Sequence, residues 1–146
     1  MKKIFVALLL VLSTSVWSQY PQIGDLYYSI HRDDQYAEVS SIPSFNATYN
    51  WLVVLEIPSY VTYKEETYPV KVIGYKAFQF SSTLVSVTIP STVSYIGADA
   101  FFGCDALVEV NLPNTITSLS KSLFRSCKSL NSIVIPNSVK EIKYGV

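Results

Sequence analysis

Residues 73–141 repeat with a period of twenty-three, and very few folds accept such a pattern. Written in rows, the stretch reads IGYKAFQFSSTLVSVTIPSTVSY (73–95), IGADAFFGCDALVEVNLPNTITS (96–118) and LSKSLFRSCKSLNSIVIPNSVKE (119–141). A fourth row starts with IKYGV (142–146), and no gap is needed to align any of them. Ile73, Ile96, Leu119 and Ile142 share one column, and Phe78, Phe101 and Phe124 share another. Leu84, Leu107 and Leu130 follow, then Val87, Val110 and Ile133, then Ile89, Leu112 and Ile135. Pro90, Pro113 and Pro136 come next, and Val93, Ile116 and Val139 complete the set. One row cannot bury these side chains alone, so a fixed period of this length means coils stacked into a solenoid. Like residues then lie over one another at the strand spacing of about 4.8 Å.

Each row has its own grammar. Leu84, Val87 and Ile89 follow the L-x-x-L-x-L pattern. Residues two apart on a strand point the same way, so Val87 and Ile89 face the core. Ser86 and Thr88 face outward, as do Glu109, Asn111, Ser132 and Val134 in the next rows. These six form the expected open strand face, the usual contact surface of a solenoid. The proline that follows has no N–H and ends the pairing. Val93 to Ile96 predicts a second short extended piece. Residues 97–104 predict a turn or irregular helical arc that carries Ala100 and Phe101 inward.

The unit IGxxAFxxCxxLxxVxIPxxVxx resembles the BspA-like leucine-rich repeat, a short subtype common in secreted and surface proteins of host-associated bacteria. The resemblance covers residues 73–142 and departs in row three. There Leu119-Ser120 replaces Ile-Gly, and Leu123 replaces alanine and adds core volume. It implies a β-rich leucine-rich-repeat solenoid and adhesion to host extracellular proteins or to neighbouring cells; the sequence supplies no set of converging titratable groups, so no enzymatic activity is expected.

Residues 25–72 do not follow the period. DLYYSI and QYAEVS are β-prone runs separated by HRDD, which predicts a hairpin. WLVVLEIPSYV predicts the strand half of a row, and TYKEETYPVKV adds a polar turn between extended runs. Family members often carry a similar lead-in. Residues 19–72 are therefore expected to form an amino-terminal β cap with a lead-in half repeat over the first apolar layer. Eight of the eleven tyrosines fall between Tyr20 and Tyr68, with Trp51 among them. They suit cross-strand packing; the sharper alternative is a platform for sugar rings or a protein partner.

Residues 1–18 have the layout of a secretory signal peptide: Lys2 and Lys3, an apolar run from Ile4 to Leu12, and Val16 and Ser18 before the cut. The apolar run falls short of the roughly 20 residues that cross a bilayer, so no membrane span is expected. The expected location is extracellular or at the cell surface. Cleavage after Ser18 takes 18 from 146 and leaves 128 residues, with nine basic and eleven acidic. That size suits one domain. Nothing in it marks a nucleic-acid partner.

Candidates for chemistry are few. His31 lies beside Arg32, Asp33 and Asp34 in the predicted hairpin turn, and a His–Asp pair can orient a base. No nucleophile accompanies it, and a solvated turn explains it better. One histidine and two separate cysteines do not make a metal set, and no cofactor is expected. Cys104 and Cys127 share a column, so they should be neighbours on adjacent coils. Their spacing approaches what a disulfide accepts, in an oxidising compartment. Stacked side chains point in parallel, which suits a disulfide poorly, so unbridged and largely buried thiols are favoured over a Cys104–Cys127 bond. Asn46-Ala47-Thr48 matches the glycosylation triplet, but the resemblance is bacterial and the triplet is discounted.

The row beginning at Ile142 stops at Val146. A sheet edge and an apolar flank are expected there, and such edges invite pairing. Two explanations compete: a shortened member of a longer repeat protein, or end-to-end self-association. The leading function is protein or glycan binding outside the cell. The alternative is a truncated scaffold or cap fragment without binding of its own.

Overall fold

The structure is a computed structural model and describes residues 20–42 and 47–146. The expected signal peptide and Asn46 lie outside the described residues. Eleven short strands occur: β1 (Gln22–Ile23), β2 (Leu26–His31), β3 (Tyr36–Ser40), β4 (Val54–Glu56), β5 (Tyr60–Tyr63), β6 (Glu66–Ile73), β7 (Ser86–Thr88), β8 (Tyr95–Ile96), β9 (Glu109–Asn111), β10 (Ser118–Leu119) and β11 (Glu141–Ile142). Among the described residues there is no helix, and hence none long and apolar enough to cross a membrane.

Three backbone ladders run along the stack. The first is the parallel sheet β4–β7–β9. Leu55 pairs with Val87, and Val87 with Val110, so their side chains form one inward column. The second ladder joins β6 to β8 through Ile73 and Ile96, and β10 to β11 through Leu119 and Ile142. The third runs along the arcs, where alternate amides reach the next coil. Lys76, Phe78 and Phe80 donate to the carbonyls of Ala98, Ala100 and Phe102 at 3.1, 2.8 and 2.8 Å. Asp99, Phe101 and Gly103 do the same with Lys121, Leu123 and Arg125 at 3.0, 3.1 and 2.9 Å.

The arcs are chains of turns rather than helix. Each holds two left-handed residues at recurring columns: Lys76, Asp99 and Ser122, then Phe80, Gly103 and Ser126. Only Gly103 among them has no Cβ to penalise that conformation. Leu123 is fully buried in the column of Ala77 and Ala100, yet the arc ladder keeps its register.

Between the ladders lies the core. Phe78 and Phe101 stack with ring centroids 5.3 Å apart and planes 8° from parallel; Phe101 and Phe124 follow at 5.7 Å and 14°. Tyr49 extends this column from the lead-in, its ring 5.2 Å from Phe78. Its hydroxyl donates to the Ser40 carbonyl at 2.7 Å and accepts the Tyr27 amide at 3.0 Å. A tyrosine is suited to this place because its ring joins the core while its oxygen serves the backbone of β2 and of the end of β3.

The segment before the rows is a sheet in the order β1-β2-β3-β6-β5, with β8 also on β6. β2 and β3 form an antiparallel hairpin, and so do β5 and β6. Lys64 and Glu65 at the second turn both have positive φ. The sequence did not foretell the parallel pairing of β3 with β6, through Ala37 with Val70 and Val39 with Ile73, which carries a bulge between Ala37 and Glu38. Tyr28, Tyr49 and Tyr68 are fully buried and Tyr60 is exposed, so much of the tyrosine enrichment is packing.

Candidate binding face

The open face of β4–β7–β9 is built by strand alternation. Leu55, Val87 and Val110 are buried, so their neighbours point out. Thr88, Glu109 and Asn111 are exposed and Ser86 is half-buried. Asn111 Nδ2 donates to Glu109 Oε1 at 3.3 Å.

Ser132 and Val134 depart from the expectation. They are exposed, Val134 at 85%, but residues 131–135 form no ladder with β9. Asn131 donates its side-chain amide locally to the Ser129 carbonyl at 3.2 Å. A cleft of about 450 Å³ lies between β9 and row three. Glu109, Asn111, Ser132 and Val134 all line it, together with Val108, Val110, Leu112, Asn114, Ile133 and Pro136. Four of the six anticipated residues therefore meet around one opening, while Ser86 and Thr88 lie on the neighbouring strand.

Sequence reasoning missed an apolar stripe beside this face. Val53, Val85 and Val108 stand at the entries of the three strands and are 54, 36 and 53% exposed. Val85 donates to Val53 O at 2.7 Å and Val108 to Val85 O at 2.8 Å, so the three are in line. Val54 and Trp51 add further exposed apolar surface in the same lead-in segment. The signal was present as Leu84-Val85 and Leu107-Val108. Two adjacent apolar residues cannot both point inward, and the leucine takes the core.

The remaining candidates are separated from the cleft. His31 ends β2 rather than sitting in the turn. It stacks on Tyr36 with centroids 4.3 Å apart, and its Nε2 lies 3.2 Å from Glu38 Oε2, not against Asp33 or Asp34. Among the described residues, no three His, Cys, Asp or Glu side chains gather as metal ligands.

Cys104 is buried, Cys127 is half-buried, and both thiols are free. Cys104 donates to Phe78 O and Cys127 to Phe101 O, each at 3.1 Å. Burial pushes the Cys104 thiol up to about 12, helped by neighbouring Cys127, and burial pushes Cys127 up to about 11. A raised thiol pKa means that the unfolded chain ionises first. Stability is therefore expected to hold below pH 9 and to fall as the pH rises, up to about 12 for Cys104 at up to roughly 1.4 kcal/mol per pH unit, and up to about 11 for half-buried Cys127, whose share is reduced by solvent screening. The buried Tyr28 and Tyr49 hydroxyls, also raised by burial, act in the same direction at higher pH. Native protein at pH 8 should react with iodoacetamide far more slowly than urea-unfolded protein. Equal rates would show that the thiols are not held as described.

Known proteins with this geometry are leucine-rich-repeat proteins. A Bacteroides ovatus leucine-rich repeat protein superposes with a TM-score of 0.73 at 36% identity, over 83% of this chain and 30% of its own. One from Bacteroides capillosus gives 0.73 at 32% identity, over 86% of this chain and 88% of its own. A leucine rich cell surface protein from Faecalibacterium prausnitzii gives 0.69 at 29%, over 84% of this chain and 32% of its own. The chain thus spans under a third of the length of the first and third of these. No curated protein is significantly similar in sequence. The family model described as BspA type leucine rich repeat region, in six copies, matches residues 60–146. The coil geometry, the matching structures and the family model converge: this chain belongs to the BspA-type leucine-rich-repeat family.

Proposed function

We propose that this is an exported, non-enzymatic binding protein that holds an extracellular protein partner on the open face of β4–β7–β9 and the cleft beside it. The observation that carries this reading is the exposed line Val53–Val85–Val108 running into that cleft. Contiguous exposed apolar surface rimmed by polar groups is costly in water and favours a partner. The polar columns around it would set orientation. A cell-surface relative and the leader-like residues 1–18 support export. In this reading residues 19–72 cap the stack and supply a half row. The coils are then 73–95, 96–118, 119–141 and the partial 142–146. Adhesion to host or neighbouring-cell components is the role this arrangement suits.

The test is a binding screen against extracellular matrix proteins and glycans, with wild type beside Val85→Glu/Val108→Glu. Val85 is 36% and Val108 53% exposed, so the urea midpoint of the variant is read first to establish that it folds; its saturable binding should then fall by tenfold or more, the size of effect expected at a hot spot. An absence of saturable binding by wild type would favour the scaffold alternative.

A second reading rests on the far end of the stack. Leu119, Phe124, Leu130, Ile133, Ile135 and Ile142 line an apolar recess of about 390 Å³ there. A second copy could cover it end to end. Light scattering across a concentration series would then show a rising mass, and a constant monomer mass would remove the idea.

A further inference from the structure

We infer that the cleft beside β9 receives a single extended peptide strand, which pairs main chain to main chain with the free edge of β9. This inference rests on the binding face proposed above and states how a partner engages it.

Row three is in register on both sides of the cleft but not across it. Before the cleft, Ser129 Oγ donates to Asp105 O and Lys128 Nζ to Asp105 Oδ2, both at 2.7 Å. After it, Lys140 donates to Thr117 O at 2.8 Å, and Ser118 pairs with Glu141. Between these anchors the pairing lapses. In the preceding rows, Val85 O accepts the Val108 amide at 2.8 Å, and the Ile89 amide donates to Asn111 O at 3.3 Å. One row on, the equivalent groups are the Val108 carbonyl and the Leu112 amide. Among the described residues neither has a backbone partner. A bare sheet edge of this kind is a template for another strand.

What fits the edge is constrained. Unpaired peptide groups alternating along a strand are matched by the backbone of an extended peptide, the mode of β-strand addition. An inserted strand would have β9 on one side and residues 131–135 on the other. Closure of 131–135 onto β9 would pair the same two edges and is the competing arrangement, against which the unpaired Val108 carbonyl and Leu112 amide stand. The side chains that meet the newcomer are mixed: Val108 and Val134 are both exposed at the opening, beside Glu109, Asn111 and Ser132. Glu109 is the lone charged residue of the lining. The preferred occupant is thus an extended protein segment with alternating β-branched residues and a lysine or arginine near Glu109.

The test uses the full chain and a synthetic peptide, Ac-Lys-Val-Thr-Val-Lys-Val-NH₂, beside the same peptide N-methylated at alternate residues. Methylation removes ladder donors while leaving the protein untouched. The expected result is saturable binding of the plain peptide, slowed hydrogen exchange at Leu112, and at least about tenfold weaker binding of the methylated form. Glu109→Lys should weaken the plain peptide as well. Equal affinity of the two peptides, or no binding of either, overturns strand addition. Slow exchange at Leu112 in the free chain also overturns it, since residues 131–135 would then have closed onto β9. The screen with Val85→Glu/Val108→Glu reads the broader binding face independently. Loss of partner binding there alongside failure here would leave the face standing and remove only its mode of engagement.

Discussion

Phe101→Ala should lower the unfolding free energy by about 3–5 kcal/mol. The ring is fully buried and lies between two others, 5.3 Å from Phe78 and 5.7 Å from Phe124. Removing it deletes the transfer free energy of a large side chain and leaves a cavity. The surroundings cannot easily collapse into that cavity. The backbone on both sides is pinned by arc hydrogen bonds, Phe78 N–H to Ala100 O and Phe101 N–H to Leu123 O. It also deletes two stacked contacts, each worth about 0.5–1.5 kcal/mol beyond burial. Small domains hold only about 5–15 kcal/mol in total, so the loss is a large fraction of the whole. Phe124→Ala supplies the internal comparison. That ring has one ring neighbour and is 7% exposed, so its loss should cost clearly less. Urea titration followed by tyrosine and tryptophan fluorescence would read both. Equal costs, or a Phe101→Ala cost under about 1 kcal/mol, would mean that the rings do not act as one column.

That column was legible because it repeats. Phe78, Phe101 and Phe124 recur at one spacing, and stacking is what a recurring apolar residue requires. Tyr49 was not legible, because it precedes the period and reaches the column through a segment with its own sheet. Its partner atoms, Ser40 O and Tyr27 N, are backbone groups that no side-chain pattern announces. The left-handed positions were hidden for a related reason. Their columns hold Lys, Asp and Ser, or Phe, Gly and Ser, so only one residue in six signals the conformation.

The open face was legible in part. Alternation correctly turned Thr88, Glu109 and Asn111 outward, because β7 and β9 are real ladder strands. Ser132 and Val134 are also exposed, but the strand expected there is absent, because strand formation is a property of neighbours as much as of sequence. Ser132–Val134 has the same spacing as Glu109–Asn111, yet no ladder joins them to β9. The cleft is the consequence, and a row-by-row reading cannot foresee it. The valine stripe was missed because a strict period of two does not hold where the chain bends from Leu84 into β7. The leucine column takes the core there, so Val85 and Val108 are displaced outward.

Gly97→Ala is the second large effect, expected at about 2–3 kcal/mol, with Gly97→Val worse. Gly97 is not in the left-handed region, so alanine meets no conformational penalty; the cost is steric. A Cβ there would come within 2.6 Å of Tyr75 N and 2.7 Å of Gly74 C. Both are backbone atoms of the coil below, and neither can rotate away. The coils are tied at this level by Gly97 N–H to Ile73 O at 2.7 Å and Lys76 N–H to Ala98 O at 3.1 Å. Relief of the clash therefore stretches two ladders at once. Row three shows how the column behaves with a side chain. Ser120 is buried there, and its hydroxyl donates to the Ile96 carbonyl, so that level is already built around a Cβ. Ser120→Gly should then cost less, about 1.5 kcal/mol, the sum of one hydrogen bond and some chain entropy. The measurement is the difference between the two unfolding midpoints at constant slope. If Gly97→Ala is no more damaging than Ser120→Gly, the first two coils can separate freely, and the close backbone contact does not hold the stack together.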